Sequence, residues 1–152
     1  MPTTPVPLVI HERVANWTRQ IRPHAASWPV RLVETRSGPE FRAAVARHGP
    51  SVAVVGLGND PSGELMALHQ AIESAPQLLS LVLEPAGRPG VVDLAREAGA
   101  TMAYGTWEPP PRIIRLLRRL VDRAVVLQAA CGWLDESFHP SPDDLDAWLR
   151  TL

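Results

Sequence analysis

Residues 51–64 read SVAVVGLGNDPSGE. The run Val52–Val55 is continuously apolar, the pattern of a strand covered on both faces rather than one. Gly56, Gly58, the Asn59-Asp60-Pro61 turn and Gly63 then break the chain. A helical stripe of Leu65, Leu68 and Ile72 follows over 62–75, closed by Pro76. The stretch therefore reads as strand, turn and helix, and the question is how often that unit repeats.

It repeats on both sides. PLVIH (7–11) leads into RVANWTRQIR, where Val14, Trp17 and Ile21 share a helical face and Pro23 is expected to stop the helix. VRLVET (30–35) precedes GPEFRAAVARHG, with Pro39 in the first turn and Phe41, Ala44 and Val45 inward. LLSLVLE (78–84) precedes a short helix over 91–98 ending at Gly99. TMAYGTW (101–107) and three prolines lead into a long helix from Arg112. Five strands alternating with helices through short connections predict an α/β fold with a doubly wound, five-stranded parallel sheet. The flavodoxin-like order 2-1-3-4-5 follows, with any site at the carboxyl ends of strands 1 and 3.

The last helix is expected to run about 20 residues to Cys131, carrying Ile113, Leu117, Leu120 and Ala124 on one side. Arg112, Arg115, Arg119 and Arg123 recur along another side. Beyond Gly132, Ser141-Pro142-Asp143-Asp144 makes a helix start, and Leu145, Trp148, Leu149 and Leu152 follow at amphipathic spacing. Such a helix is too short to stand alone. It is expected to pack on its own chain or on a second molecule. The division is thus a tail over 1–6, an α/β domain over 7–131 and a C-terminal helical extension over 132–152.

All fifteen basic residues are Arg, so the chain of 152 residues contains no lysine. Net charge is −1, unevenly spread: residues 112–124 carry five Arg against one acid, and 125–152 carry five acids against one Arg. The overall balance argues against a general nucleic-acid binder, and no aromatic or lysine cluster supports the Arg stripe. No stretch reaches the roughly 20 apolar residues that span a membrane. The N-terminus lacks a basic-then-apolar leader, and the single Cys131 fits a reducing compartment, so a cytoplasmic location is expected. The five histidines show no metal-ligand spacing, and neither metal nor cofactor is expected. Gly56-x-Gly58 does not complete a dinucleotide fingerprint, because Pro61 stands where its third glycine belongs, and no Gly-Lys-Ser/Thr follows.

In order and spacing, RLVETRSGPEFRAAVARHGPSVAVVGLG, GLGNDPSGEL and EAGATMAY resemble stretches of a response-regulator receiver domain of the chemotaxis-regulator type. The resemblance covers residues 6–124. It implies an acidic pair after strand 1 for Mg²⁺, an acceptor Asp ending strand 3, a hydroxyl residue ending strand 4 and a Lys ending strand 5. Those positions fall here on His11 and Glu12, on Gly56, on Glu84, and on Thr106 or Trp107. Only Glu12 keeps a suitable chemical type. Asp60 is a poor displaced acceptor, four residues past the strand end. The resemblance therefore implies a degenerate receiver without phosphoryl-transfer activity, working as a protein-interaction or dimerisation module. Its surface is expected to include Tyr104, Trp107, Arg112, Arg115 and Arg119, with Leu145, Trp148 and Leu149 from the extension. The alternative is a small-ligand or nucleotide site at the sheet edge near His11, Glu12, Gly56, Asn59 and Glu84, where His11 and Glu84 are expected as neighbours.

Overall fold

The computed structural model describes residues 4–45 and 49–137. The expected helix with Leu145, Trp148 and Leu149 lies outside the described residues. Five strands, β1 (Val6–His11), β2 (Val30–Thr35), β3 (Ser51–Gly56), β4 (Leu78–Leu83) and β5 (Met102–Tyr104), alternate with five helices. These are α1 (Trp17–Ala25), α2 (Gly38–Val45), α3 (Pro61–Ser74), α4 (Val91–Glu97) and α5 (Pro110–Ser137). The strands form one parallel sheet in the order β2-β1-β3-β4-β5, as the apolar runs predict.

Side chains alternate across a strand, so the sheet divides its apolar residues between two cores. Leu8, Ile10, Val52, Val54, Leu81 and Leu83 face α1 and α5, packing with Trp17, Ile21, Ile113, Leu117 and Val121. Val9, Ala53, Val55 and Val82 face the other way, against Phe41, Val45, Leu65, Leu68, Val91 and Ala95 of α2, α3 and α4. The pairings His11 with Thr35 and Val55, Gly56 with Leu83, and Leu83 with Tyr104 bring the five carboxyl ends to one edge. Gly99, at φ +104°, turns the chain from α4 toward β5 in a conformation that disfavours other residues.

Four expectations need correction. Helix α1 begins at Trp17, leaving Val14 in the preceding loop and 75% exposed. It also runs past Pro23 to Ala25. Burial of Trp17, Thr18, Ile21 and Ala25 against the sheet holds the last turn despite the missing amide hydrogen. Helix α5 is 28 residues long, starting at Pro110 and passing through Gly132 to Ser137, where about 20 residues from Arg112 to Cys131 were expected. Proline is tolerated in a first helical turn, and one glycine costs a helix only about 1 kcal/mol. The last strand also shortens: β5 keeps three residues of the seven expected, Met102–Tyr104, the three that pair with Leu81–Leu83 of β4.

Leu117 is fully buried beneath the sheet, whereas Val126 on the same helix is 67% exposed. Leu117→Ala is expected to lower unfolding free energy in urea by about 2–5 kcal/mol, and Val126→Ala by less than about 0.5 kcal/mol.

Candidate functional site

The alternation that fills the cores also fixes what each strand end presents. Glu12 follows β1 on the α1 side, and its buried carboxylate is spent on that helix. Oε2 accepts a hydrogen bond from the Trp17 amide (3.0 Å), and Oε1 accepts from the Thr18 amide (2.9 Å) and hydroxyl (3.1 Å). These are orphan amides of a first helical turn, so the carboxylate caps α1 from five residues upstream and complements its dipole. This explains why the helix starts at Trp17 rather than at Arg13. Gly56 ends β3 directly opposite: a Cβ there would lie 3.4 Å from Glu12 Cβ and 3.6 Å from Trp17 Cδ1. Glu12, Trp17, Gly56, Gly58 and Pro85 line a small crevice of about 170 Å³.

Of the five residues aligned with the receiver pocket, only Glu12 and Gly56 meet in this crevice. His11 shares the parity of Val9 and faces α2. Its ring stacks on Phe41 at 4.9 Å between centroids, and Nδ1 lies 2.9 Å from Thr35 Oγ1. Strand β3 separates it from Glu84, so the two are not neighbours as expected. Glu84 is almost wholly buried; it accepts from the Ala86 amide (2.8 Å) and from Nε (2.8 Å) and Nη2 of Arg88. Its charge is answered locally by an arginine four residues on. Thr106 and Trp107 lie exposed beyond β5.

A second, larger crevice of about 420 Å³ opens on the α2–α3 side of the same edge, where His11, Arg13, Arg36, Asp60 and Glu64 come together. Asp60 is the N-cap of α3, accepting from the Gly63 amide at 3.1 Å. Glu64 accepts from the Gly58 amide at 2.8 Å, and burial raises its pKa. Neither Arg88 nor Glu64 was singled out from the sequence: Glu84 and Arg88 meet across a turn between β4 and α4, where spacing along the chain gives no contact rule. Among the described residues, no group of three or more His, Cys, Asp or Glu could hold a metal ion.

On the opposite flank, Arg112 pairs with Glu108 (3.0 Å), and its guanidinium lies 5.5 Å above the half-buried Tyr104 ring. Arg115, Arg119 and Arg123 are exposed and make no ion pair among the described residues. Arg118, which the stripe omitted, stacks over Trp28 at 5.7 Å and pairs with Asp122 at 3.0 Å. Cys131 is half-buried beside Gln77.

Glu12→Ala strips two buried amides and a hydroxyl of their acceptor, and is expected to cost about 2 kcal/mol in urea unfolding with the fold retained. A pH dependence follows from His11. Burial, foremost, lowers its pKa from 6.5, helped by Arg13 and Arg36 and opposed by the Thr35 contact and Glu40. The folded state then binds fewer protons than the unfolded one. Stability is complete above pH 6.5 and falls as the pH drops from there through the folded-state value. His11→Gln is expected to flatten that segment of the stability profile, measured by urea midpoints above and below this pH.

No protein-family model matches the chain, and no curated protein matches it in sequence. Solved structures do. A BeF3-activated DrrB receiver domain is 14% identical, with a TM-score of 0.65 over 78% of this chain and 99% of its own. A CheY-like response regulator receiver domain protein from Methanospirillum hungatei JF-1 is 10% identical, with a TM-score of 0.64 over 79% of this chain and 96% of its own. An adenylate cyclase structure from Rhodopirellula baltica is 11% identical, with a TM-score of 0.67 over 86% and 98%. At these identities the likeness concerns architecture, and in architecture the chain has the fold of a response-regulator receiver domain.

Proposed function

We propose that this chain is a phosphorylation-independent pseudo-receiver, a signalling or regulatory module that works by surface contact with another protein or a second copy of itself. The observation that carries this reading is the pairing of Gly56 with an already engaged Glu12. Phosphoryl transfer to a carboxylate needs an attacking oxygen, a divalent cation and a positive group beside the phosphate. Gly56 offers no oxygen. Glu12 directs both of its oxygens to helix amides, and the chain has no lysine. Arg88, the cation at the end of β4, is held by Glu84.

With that chemistry absent, the surface beside β5 and α5 is the supported means of communication. Trp107 is 67% exposed, and Arg115 and Arg119 stand in solvent one and two helical turns along α5 from Arg112. An exposed indole and exposed guanidinium groups suit an acidic, partly apolar partner surface, since Trp and Arg are the residue types that anchor interfaces. Arg112 contributes less, because Glu108 and Tyr104 already occupy it. Among the described residues, no helix is long and apolar enough to cross a membrane.

The test is association. The double variant Arg115→Glu/Arg119→Glu is expected to keep the circular dichroism and urea midpoint of the parent. It should weaken the parent's self-association or its captured protein complex at least tenfold, read by sedimentation velocity and by calorimetry. Unchanged association in that variant would remove the stripe from the interface.

A further inference from the structure

Helix α5 outruns the sheet on which it packs. Cys131 lies beside Gln77, the residue before β4, so the helix has there reached the amino edge of the sheet. It continues to Ser137. The eleven residues 124–134 carry no charge, whereas Arg115, Arg119 and Arg123 stand on the turns before them. A helix that is apolar on every side is normally covered on more than one. Here the sheet covers one side, where Ala124 is fully buried. On the far side Val126, Ala129 and Ala130 share a face at i, i+3 and i+4. All three are exposed, so no described element covers that face.

The sequence that follows α5 has the length and pattern to cover it. Phe138-His139-Pro140 is a link of three residues, within the range of about 2–5 that joins antiparallel helices. Ser141-Pro142 is a helix start, and Leu145, Trp148, Leu149 and Leu152 recur at i, i+3, i+4 and i+7. Asp143, Asp144 and Asp146 fall off that stripe. A helix over 142–152 would rise about 16 Å, and α5 rises about 16 Å from Val126 to Ser137. Laid antiparallel with Pro142 level with Ser137, it brings Trp148 and Leu149 level with Ala130 and Cys131, and Leu152 level with Val126 and Leu127. Large side chains then meet small ones. A link this short sets an effective concentration on the order of millimolar, which favours the chain's own segment over a second copy.

We propose that residues 141–152 fold back as a helix onto the outer face of α5 in their own chain, with Trp148 and Leu149 over Ala129 and Ala130 and Leu152 beside Val126. The contact does not depend on the interaction role, because Arg115 and Arg119 lie about two turns or more before Val126 and stay open. It is a local clasp that opens before the sheet unfolds, so the urea midpoint is left to the sheet core.

The experiment uses the full chain. Isotope-labelled and unlabelled protein are mixed in equal amounts, and nuclear Overhauser contacts of the Trp148 indole are sorted into those within and those between molecules. Contacts to the methyl groups of Ala129 or Ala130 are expected within one molecule and not between two. The double variant Trp148→Ala/Leu149→Ala changes residues outside the α/β domain. It should speed hydrogen exchange of the amides over 126–131 by about tenfold, and leave the amides of Leu8 and Val54 as slow as in the parent. Contacts found only between molecules would overturn the proposal and make a second copy the occupant. No contact between Trp148 and α5, or unchanged exchange over 126–131 in the double variant, would overturn it outright.

Discussion

The carboxylate of Glu12 is buried at the end of β1, and burial of a charge is tolerable only where hydrogen bonds replace the water it loses. Here the replacement comes from the first turn of α1, through the amides of Trp17 and Thr18 and the Thr18 hydroxyl. That one contact sets where α1 begins, which residues it buries and how Trp17 comes to lie against Gly56. Because Trp17 and Ile21 then pack with Leu8, Ile10, Ile113 and Leu117, the face of the sheet covered by α1 and α5 is organised around the same anchor. The carboxylate position that the receiver resemblance assigns to a metal ion is here a structural cap.

The same economy appears along the rest of the edge. Glu84 is satisfied by Arg88 and by the Ala86 amide, and Asp60 caps α3. Each acid at a strand end is committed to its own loop or helix, which favours a rigid edge over one that reorganises around a phosphate. Glu64 is the exception, with one oxygen left over. Communication by surface contact, through Trp107, Arg115 and Arg119, is the reading consistent with such an edge, and it needs no moving part within the sheet.

The order of elements and the sheet topology were legible because each buried strand is an uninterrupted apolar run, and a parallel sheet admits few connections. The two-sided core followed from the same runs, and Ile113, Leu117, Leu120 and Ala124 lie on the buried face of α5 as their spacing predicts. What the residues did not disclose depends on contacts between loops. Nothing local to Val14 says that Glu12 will start the helix three residues later. Nothing in a Gly-rich turn says that Glu64 will reach back to the Gly58 amide. His11 and Glu84 looked like neighbours because both end strands, but β3 lies between them and strand parity points His11 toward Phe41.

The pseudo-receiver reading holds that no oxygen at this edge is placed and charged to accept a phosphoryl group. It is tested most directly by incubating the purified chain with acetyl phosphate and Mg²⁺, followed by intact-mass measurement and ¹H–¹⁵N correlation spectra. Mass and the amide shifts around Glu12, Gly56 and Asp60 should stay unchanged. A phosphate adduct released by hydroxylamine, with shifts spreading from those residues into α4 and β5, would contradict it.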